Sequence, residues 1–255
     1  MKIALVTGAS SGLGRAFARR LDADREVEEL WLVARRRDRM EELAAQLSKP
    51  AKILSLDLLE QADIDTLGSL LEQEKPTVQV LINSAGFGKF GTCYDLSRKE
   101  NDDMIDLNCR AAVALTTLCL PYMGRGSRVI QVASSAAFQP LPGMGVYAAS
   151  KAFLMRYSRS LRWEVAPQGI KVTALCPGWI NTEFIQVARE TKNGRAVNHI
   201  PFRADPDHVA AAADRGNRMG LAVVTPGLFT LVQRIGAKLL PSCLVMAVWE
   251  AGRRA

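Results

Sequence analysis

The chain has 255 residues, of which 48% are hydrophobic and 23% are charged, a balance that favours a folded globular protein over a disordered one. Its net charge of +7 is uneven, since residues 215–255 carry six basic side chains and one acidic side chain. No unbroken apolar run is long enough for a membrane span, and the first residues reach glycine too early for a signal peptide. We therefore expect a cytoplasmic protein. A basic tail on a nearly neutral body makes nucleic acid a poor candidate partner.

The five cysteines include no Cys-x-x-Cys pair, and the chain has only two histidines. This pattern excludes a zinc ribbon and argues against a disulfide scaffold. We expect reduced, buried thiols and no metal site.

Short apolar runs alternate with helix-compatible stretches over most of the chain. The runs predict strands at residues 2–6, 30–34, 52–56, 78–83, 128–133 and 171–176. Helical spacing predicts helices at residues 12–23, 36–47, 61–74, 99–123 and 146–166. Nearly continuous apolar strands joined by helices indicate a parallel sheet that is covered on both faces. The predicted fold is a doubly wound parallel α/β sheet of the Rossmann type, with three layers (α/β/α), in a single domain over residues 1–255.

The last third of the chain departs from this alternation. Residues 179–218 are polar and contain short helix-compatible pieces and turn signals, which predicts an irregular substrate-loop region on the rigid scaffold. A short apolar run at residues 221–224 is a candidate last strand. In the basic amphipathic segment 228–255, apolar residues recur at helical spacing from Leu228 to Leu239. We expect this segment to pack on its own domain or on another subunit, and peripheral contact with a membrane is the alternative.

The first predicted strand runs directly into a glycine-rich loop, and a helix follows. The loop reads Thr7-Gly8-Ala9-Ser10-Ser11-Gly12-Leu13-Gly14. Glycines allow a tight turn beside a pyrophosphate, and the helix start offers unpaired N–H groups at the positive end of its dipole. The loop therefore predicts a dinucleotide site. The second strand is followed by Arg35 rather than by an acidic residue, and Arg15 follows the loop, which favours NADP(H) over NAD(H).

Three residues further along the chain form a candidate acid/base set. Tyr147 and Lys151 are four residues apart on a predicted helix and so share one face. A neighbouring ammonium favours the phenolate, so we expect Lys151 to lower the pKa of Tyr147. Ser134 follows a buried strand, where its hydroxyl can hold a substrate carbonyl oxygen. Together these residues predict general acid/base chemistry.

These motifs together resemble the short-chain dehydrogenase/reductase family. The resemblance spans about residues 1–185 and rests on the glycine loop, Asn83-Ser84-Ala85-Gly86, Asn108, Ser134, Tyr147-x-x-x-Lys151 and Pro177-Gly178. The family's usual second asparagine is Ser84 here, and the catalytic set is complete. Several stretches are similar to the steroid-dehydrogenase and 3-oxoacyl-reductase branch. With the two arginines, the implied cofactor site consists of Gly8, Ser10, Ser11, Gly12, Leu13, Gly14, Arg15, Arg35, Asp57, Leu58, Asn83, Ala85, Gly86, Tyr147, Lys151, Pro177, Gly178, Ile180 and Thr182.

The resemblance also implies a role for each catalytic residue. Tyr147 would exchange a proton with the substrate oxygen, and Lys151 would lower the tyrosine pKa and hold the nicotinamide ribose. Ser134 would orient the substrate oxygen. Asn108 would hold a water that links Lys151 to solvent, and Asn83 would support the central sheet.

The expected function is NADPH-dependent reduction of a ketone, or in reverse the oxidation of a secondary alcohol. The substrate is expected to be fairly apolar, such as a steroid, a 3-oxoacyl compound or a bulky carbonyl compound. One alternative is a non-catalytic NADP-sensing module, which the complete catalytic set disfavours. Another is a nucleotide-sugar epimerase or dehydratase, for which the chain after Thr182 is short. The helices at residues 99–123 and 146–166 form subunit interfaces in the family, so the resemblance implies a homodimer or homotetramer.

Overall fold

Seven parallel strands form the centre of the computed structural model, which describes residues 1–198, 200 and 202–254. The strands cross the sheet in the order β3-β2-β1-β4-β5-β6-β7. The six predicted strands are confirmed, and the candidate at residues 221–224 forms the short edge strand β7, parallel to β6. The strands are β1 (Lys2–Thr7), β2 (Glu29–Ala34), β3 (Ala51–Ser55), β4 (Thr77–Asn83), β5 (Arg128–Val132), β6 (Lys171–Leu175) and β7 (Val223–Val224).

Helices cover both faces of this sheet. Those in the described residues are α1 (Gly12–Asp22), α2 (Arg37–Ala44), α3 (Gln61–Glu74), α4 (Arg98–Ile105), α5 (Ala112–Cys119), α6 (Gly145–Glu164), α7 (Phe184–Arg189), α8 (Pro206–Arg218), α9 (Leu228–Leu239) and α10 (Ser242–Arg254). Alternate residues of β1 point to opposite faces: Ala4 and Val6 pack with α1, α2 and α8, whereas Ile3 and Leu5 pack with α3, α5 and α6. The predicted three-layer fold in a single domain is therefore confirmed.

The longest predicted helix is continuous but not uniform. One π-helical turn, Asp106–Ala111, joins α4 to α5, and a 3₁₀ turn ends the stretch. By length and average composition, Arg98–Tyr122 is apolar enough to span a membrane. Its side chains Leu115 and Cys119 are instead buried in the core beneath the sheet. Packing inside the domain accounts for the apolar composition of this stretch.

The predicted irregular region, residues 179–218, is irregular only in its first part. It contains the short helix α7, but from Pro206 onward it forms α8, which packs against α1. The Asp205 carboxylate caps α8 by accepting hydrogen bonds from the N–H groups of Asp207 and His208. The prediction was wrong for residues 206–218. The buried face of α8 consists mainly of small and polar residues, which gives a weak hydrophobic pattern in the sequence; its buried residues are Val209, Ala210, Ala213, Asp214, Gly216 and Asn217.

A buried cluster of charges lies at the amino-terminal edge of the sheet. The guanidinium of Arg128, at the start of β5, donates hydrogen bonds to the carboxylates of Asp24 and Asp214. All three side chains are almost completely buried. Burial alone would raise the pKa of Asp214, but Arg128 and Arg218 hold it below its usual value. The cluster joins β5 to α8 and to the loop after α1.

We expect Arg128→Met to lower the free energy of unfolding by about 3–5 kcal/mol, because it leaves two carboxylates buried without their main counter-ion. Urea denaturation followed by circular dichroism measures this change. The matched control is Arg20→Met, which removes a half-exposed partner of Asp214 and should cost less than about 1 kcal/mol. Equal losses in the two variants would contradict a special role for the buried guanidinium.

Candidate active site

A cavity of about 1340 Å³ opens at the carboxyl ends of the strands. The strand order reverses between β1 and β4, and this is where a crevice forms in an open α/β sheet. Arg15, Asn83 and Asn108 do not line it. The predicted site residues that do are Gly8, Ser10, Ser11, Gly12, Leu13, Gly14, Arg35, Asp57, Leu58, Ala85, Gly86, Ser134, Tyr147, Lys151, Pro177, Gly178, Ile180 and Thr182.

The glycine loop is fixed to the loop after β4 through Thr7. The Thr7 hydroxyl accepts hydrogen bonds from the backbone N–H groups of Ser84 and Ala85, both at 3.0 Å, and donates to the carbonyl oxygen of Ile82. Gly8 follows with φ of +68°, and a Cβ there would lie 3.0 Å from the Ala85 nitrogen. A side chain would conflict with both the backbone conformation and the close approach. The two loops therefore form one continuous surface at the centre of the cavity.

The amino terminus of α1 presents free donors to this surface. Ser11 precedes the helix in an extended conformation, its side chain makes no capping hydrogen bond, and the first turn has no acidic residue. The N–H groups of a first turn have no partner within the helix, and the helix dipole places partial positive charge there. Ser11, Gly12 and Leu13 line the cavity. The residues present thus fit the pyrophosphate of a dinucleotide.

Two arginines after β2 line the same end of the cavity. Arg35 is largely exposed and lies 3.7 Å from the Asp57 carboxylate. Arg36 pairs with Glu183 at 2.9 Å and contacts the Ser10 hydroxyl at 3.4 Å. Sequence reasoning missed Arg36 and Glu183 as site residues. The run of arginines after β2 was a sequence signal for Arg36. No local sequence pattern indicates its ion pair with Glu183.

Arg15 and Asn83, both predicted for the cofactor site, do not line the cavity and are paired with side chains of neighbouring helices. The guanidinium of Arg15 pairs with Glu42 on α2 at 2.9 Å. The amide of Asn83 donates to the Thr116 hydroxyl of α5 at 3.0 Å. Asn83 therefore joins β4 to α5, which is the supporting position that the resemblance implied. The spacing of residues in the sequence does not show that Glu42, on α2, forms an ion pair with Arg15.

Asn108 lies in the π-helical turn, a feature that occurs frequently at functional sites. Its Oδ1 accepts from the N–H of Phe87 at 3.1 Å, and its Nδ2 donates to the Phe87 carbonyl at 2.9 Å and to the Ser150 hydroxyl at 3.0 Å. The side chain is thus fully engaged in holding the loop after β4 against α6. Only the backbone of the turn is left to hold the water that the resemblance implies.

The three remaining catalytic candidates meet in the wall of the cavity. The Lys151 ammonium donates to the carbonyl oxygen of Val132 at 2.8 Å and lies 5.9 Å from the centre of the Tyr147 ring. Ser134 is hydrogen-bonded to Tyr147 and also accepts from the N–H of Ala136 at 3.1 Å. The strand end of β5 and the first turns of α6 therefore bring the predicted set together.

Burial controls the ionisation of this set. It raises the pKa of Tyr147 to about 12, although the hydrogen bond from Ser134 acts in the opposite direction. Burial also lowers the pKa of Lys151 to about 8. The pKa of Tyr147 is therefore raised rather than lowered as expected, because removal of the phenol from water outweighs the influences that favour the phenolate. At neutral pH Tyr147 carries its proton.

The other half of the cavity is apolar and lies beyond Tyr147. The ring of Phe184, on α7, is 5.3 Å from the ring of Tyr147. The helices α9 and α10 pack on their own domain, as one of the sequence alternatives expected, and they add a wall to the cavity that the sequence did not predict. The apolar side chains of this half include Leu141, Met144, Trp179, Phe184, Phe202, Leu228, Phe229, Val232, Leu240, Val245, Val248 and Trp249.

A family model described as short chain dehydrogenase matches residues 2–193. The chain belongs to the short-chain dehydrogenase family. An uncharacterised oxidoreductase of Staphylococcus epidermidis is 34% identical over 187 residues, which are 72% of this chain and 80% of that protein. This short-chain dehydrogenase is therefore an NAD(P)-dependent oxidoreductase, and its fold and its dinucleotide-shaped crevice agree with that class.

Two solved structures share the fold over nearly the whole chain. A short-chain dehydrogenase from Sphingobium yanoikuyae, in complex with NADPH, is 28% identical, with a TM-score of 0.81 over 93% of this chain and 92% of its own. An alcohol dehydrogenase from Comamonas testosteroni, described as specific for bulky-bulky ketones, is 25% identical, with a TM-score of 0.75 over 94% of this chain and 95% of its own.

The depressed pKa of Lys151 has a consequence for stability. Below about pH 8 the folded protein holds a desolvated ammonium, and this penalty is relieved as pH rises towards 10.5, where the unfolded chain also loses the proton. We therefore expect the stability of Lys151→Met, measured relative to wild type by urea denaturation, to decline by up to about 3 kcal/mol across that window. Lys238→Met, at an exposed position, is the control. A parallel pH dependence in both variants would rule out Lys151 as its source.

Proposed function

We propose that this protein is an NADPH-dependent carbonyl reductase of a fairly apolar ketone, such as a steroid, a 3-oxoacyl compound or another bulky carbonyl compound, and that it also oxidises the secondary alcohol. The observation that carries the proposal is the setting of Tyr147. Its buried phenol keeps its proton at neutral pH and lies between the dinucleotide-shaped half of the cavity and the apolar half. A neutral phenol beside a hydroxyl is the arrangement that donates a proton to a carbonyl oxygen.

The residues of the chain divide the reaction between them. The glycine loop 8–14, Asp57, Gly86 and the segment 177–182 would hold the cofactor, which supplies the hydride when bound. Ser134 orients the substrate oxygen through its hydroxyl, and Tyr147 donates its proton to that oxygen. The Lys151 ammonium, held by the carbonyl of Val132, then stabilises the negative charge left on the phenol.

Arginine side chains support the preference for NADP(H). Arg35 and Arg36 line the cavity where the adenosine ribose of a dinucleotide lies in this fold, and the residue directly after β2 is Arg35 rather than an acid. A guanidinium can form charge-assisted hydrogen bonds with a 2′-phosphate. The relative from Sphingobium yanoikuyae was solved with NADPH, which agrees with this preference.

The cavity wall supports an apolar substrate. Residues from α9, α10 and the segment before α7 place aromatic and aliphatic side chains opposite the catalytic set. Burial of a substrate's apolar surface contributes about 25 cal/mol per Å². The likeness to a dehydrogenase described as specific for bulky-bulky ketones agrees with such a substrate.

We also propose that the protein acts in the cytoplasm as a homodimer or homotetramer, with a small-molecule substrate and without nucleic acid. Short-chain dehydrogenases commonly oligomerise, and α6 exposes the large apolar side chains Phe153 and Trp163. All five cysteines are free, and Cys93 and Cys243 are exposed rather than buried as expected. Exposed thiols suit a reducing compartment.

Removal of the Tyr147 hydroxyl tests the proposed acid. Tyr147→Phe should lower turnover of an apolar ketone by about 10²–10⁴-fold, because no other donor replaces the phenol. NADPH affinity should remain close to that of wild type. NADPH oxidation with a panel of ketones and a fluorescence titration measure the two quantities. Tyr157→Phe, on the same helix but outside the cavity, should retain activity, and a Tyr147→Phe enzyme that retains activity would refute the assignment.

Charge reversal at Arg35 tests the cofactor preference. We expect Arg35→Asp to raise the KM for NADPH at least about tenfold, since it replaces a charge-assisted contact with repulsion, and to leave the KM for NADH nearly unchanged. Arg15→Asp is the matched control, because Arg15 pairs with Glu42 away from the cavity. Equal effects of Arg35→Asp on both cofactors would show that Arg35 does not recognise the phosphate.

A further inference from the structure

The helix α9 exposes its apolar side and buries its polar side. Its apolar residues form one stripe at helical spacing, and their exposure includes 77% for Leu228, 60% for Val232 and 74% for Leu239. On the inner side, Thr230 is buried and the Arg234 guanidinium donates to the Thr225 hydroxyl. A helix that packs only on its own domain shows the opposite arrangement. The exposed stripe consists of Leu228, Leu231, Val232, Ile235 and Leu239.

The exposed stripe belongs to a firmly seated helix pair. A Cβ on Gly178 would lie 2.7 Å from the Thr230 hydroxyl, so α9 is in close contact with the loop after β6. In α10, the indole N–H of Trp249 donates to the carbonyl oxygen of Pro142 at 2.9 Å. Near its end, Arg253 donates to the carbonyl oxygen of Ala196. The exposure of the stripe is therefore a property of the packed domain. In α10, Leu244 and Val248 extend the exposed apolar surface.

Basic side chains surround this surface. The exposed charged residues of this region are the basic Arg189, Lys192, Arg195, Arg203 and Lys238 and the acidic Glu190. Arg189, Lys192 and Arg195 line a surface depression of about 560 Å³, and the neighbouring residues 196–198 contact Arg253 of α10. Arg203 adjoins Phe202, whose ring lies 6.1 Å from the ring of Phe229 on α9. Lys238 is exposed near the end of α9.

The mouth of the cavity opens within the same surface. Leu228, Val232, Leu240 and Val248 line the cavity and are each more than half exposed. Side chains that face both the cavity and the exterior lie at its rim. An apolar molecule that reaches the apolar surface can therefore enter the cavity without crossing water.

We propose that this surface docks on an anionic phospholipid bilayer, with the apolar stripe inserted among the acyl chains and the surrounding arginines and lysines on the headgroups. An apolar helix face flanked by basic residues binds a membrane interface through both forces. A second copy of the chain would not match the basic rim, because the same rim would meet itself across a twofold axis. Delivery of the substrate from the bilayer rests on the proposed function, whereas the docking does not.

Vesicle co-sedimentation tests the docking without cofactor or substrate. The wild-type protein should sediment with vesicles of phosphatidylcholine and phosphatidylglycerol, and much less with vesicles of phosphatidylcholine alone. Ile235→Asp/Leu239→Asp should weaken binding to the anionic vesicles at least about tenfold, since it places two charges in the inserted face. These two residues do not line the cavity, so turnover of a water-soluble ketone should be unchanged. Met219→Asp/Leu221→Asp, at exposed apolar positions between α8 and β7 and outside the cavity, makes the same charge change and should bind like wild type.

The basic rim has its own matched pair of variants. Lys192→Glu/Arg195→Glu should weaken anionic-vesicle binding at least about tenfold, because each basic residue near the surface contributes about fivefold in affinity. Arg25→Glu/Arg125→Glu makes the same charge change at exposed positions near the amino-terminal edge of the sheet and should have a smaller effect.

Three results would overturn the docking: wild-type protein that ignores anionic vesicles, binding that survives Ile235→Asp/Leu239→Asp, or a lipid-free oligomer that this substitution converts to monomer in light scattering while vesicles bind neither form. The last result would assign the surface to a subunit interface. Failure of the carbonyl-reductase proposal would appear instead as absent ketone turnover in proteins that still sediment with vesicles.

Discussion

The hydroxyl of Thr7 links the ends of β1 and β4, the two central strands between which the strand order reverses. Neighbouring crossovers run to opposite sides from β1 and β4, so the crevice opens between these strands and nowhere else in the strand order. By accepting from Ser84 and Ala85, Thr7 places the glycine loop and the loop after β4 in fixed register. Asn108 then extends this constraint from the loop after β4 to α6, which carries Tyr147 and Lys151. One chain of hydrogen bonds thus sets the distance between the cofactor half and the catalytic half of the cavity.

Buried charges at the two ends of the strands are compensated to different degrees. At the amino-terminal edge, Arg128 meets two carboxylates, so a buried charge is compensated and fixes α8 against the sheet. At the carboxyl edge, Lys151 is buried with a backbone carbonyl as its described hydrogen-bond partner, and its pKa falls. Burial of an incompletely compensated ammonium lowers stability, but it keeps a proton-transfer group near neutral pH. The incompletely compensated charge of Lys151 therefore lies beside the catalytic tyrosine, where it can assist proton transfer to a substrate oxygen.

Local sequence patterns predicted most of the secondary structure. The features that they did not predict depend on contacts between residues that are distant in the sequence. The strands follow from apolar runs, and the glycine loop follows from the glycines that end the first run. Because the strands are parallel, Ser134 and the loop residues must lie at the same end of the sheet. The pairing of Arg15 with Glu42 depends on α1 and α2 lying on the same face of the sheet, which spacing does not encode. The π-helical turn at Asn108 and the net rise in the pKa of Tyr147 likewise follow from burial in the assembled domain.

The residues for proton transfer and the residues for substrate recognition lie largely in different parts of the chain. The family model ends at residue 193, and every residue that we assign to proton transfer lies before that point. The apolar wall opposite Tyr147 draws heavily on α9 and α10, which lie after it. The amphipathic pattern of α9 showed that an apolar face exists, but only the packing of Thr230 and Arg234 shows that this face points outward. A change in the helix pair can therefore alter which ketone reaches Ser134 while leaving the proton donor, its neighbours and the crevice for the dinucleotide in place.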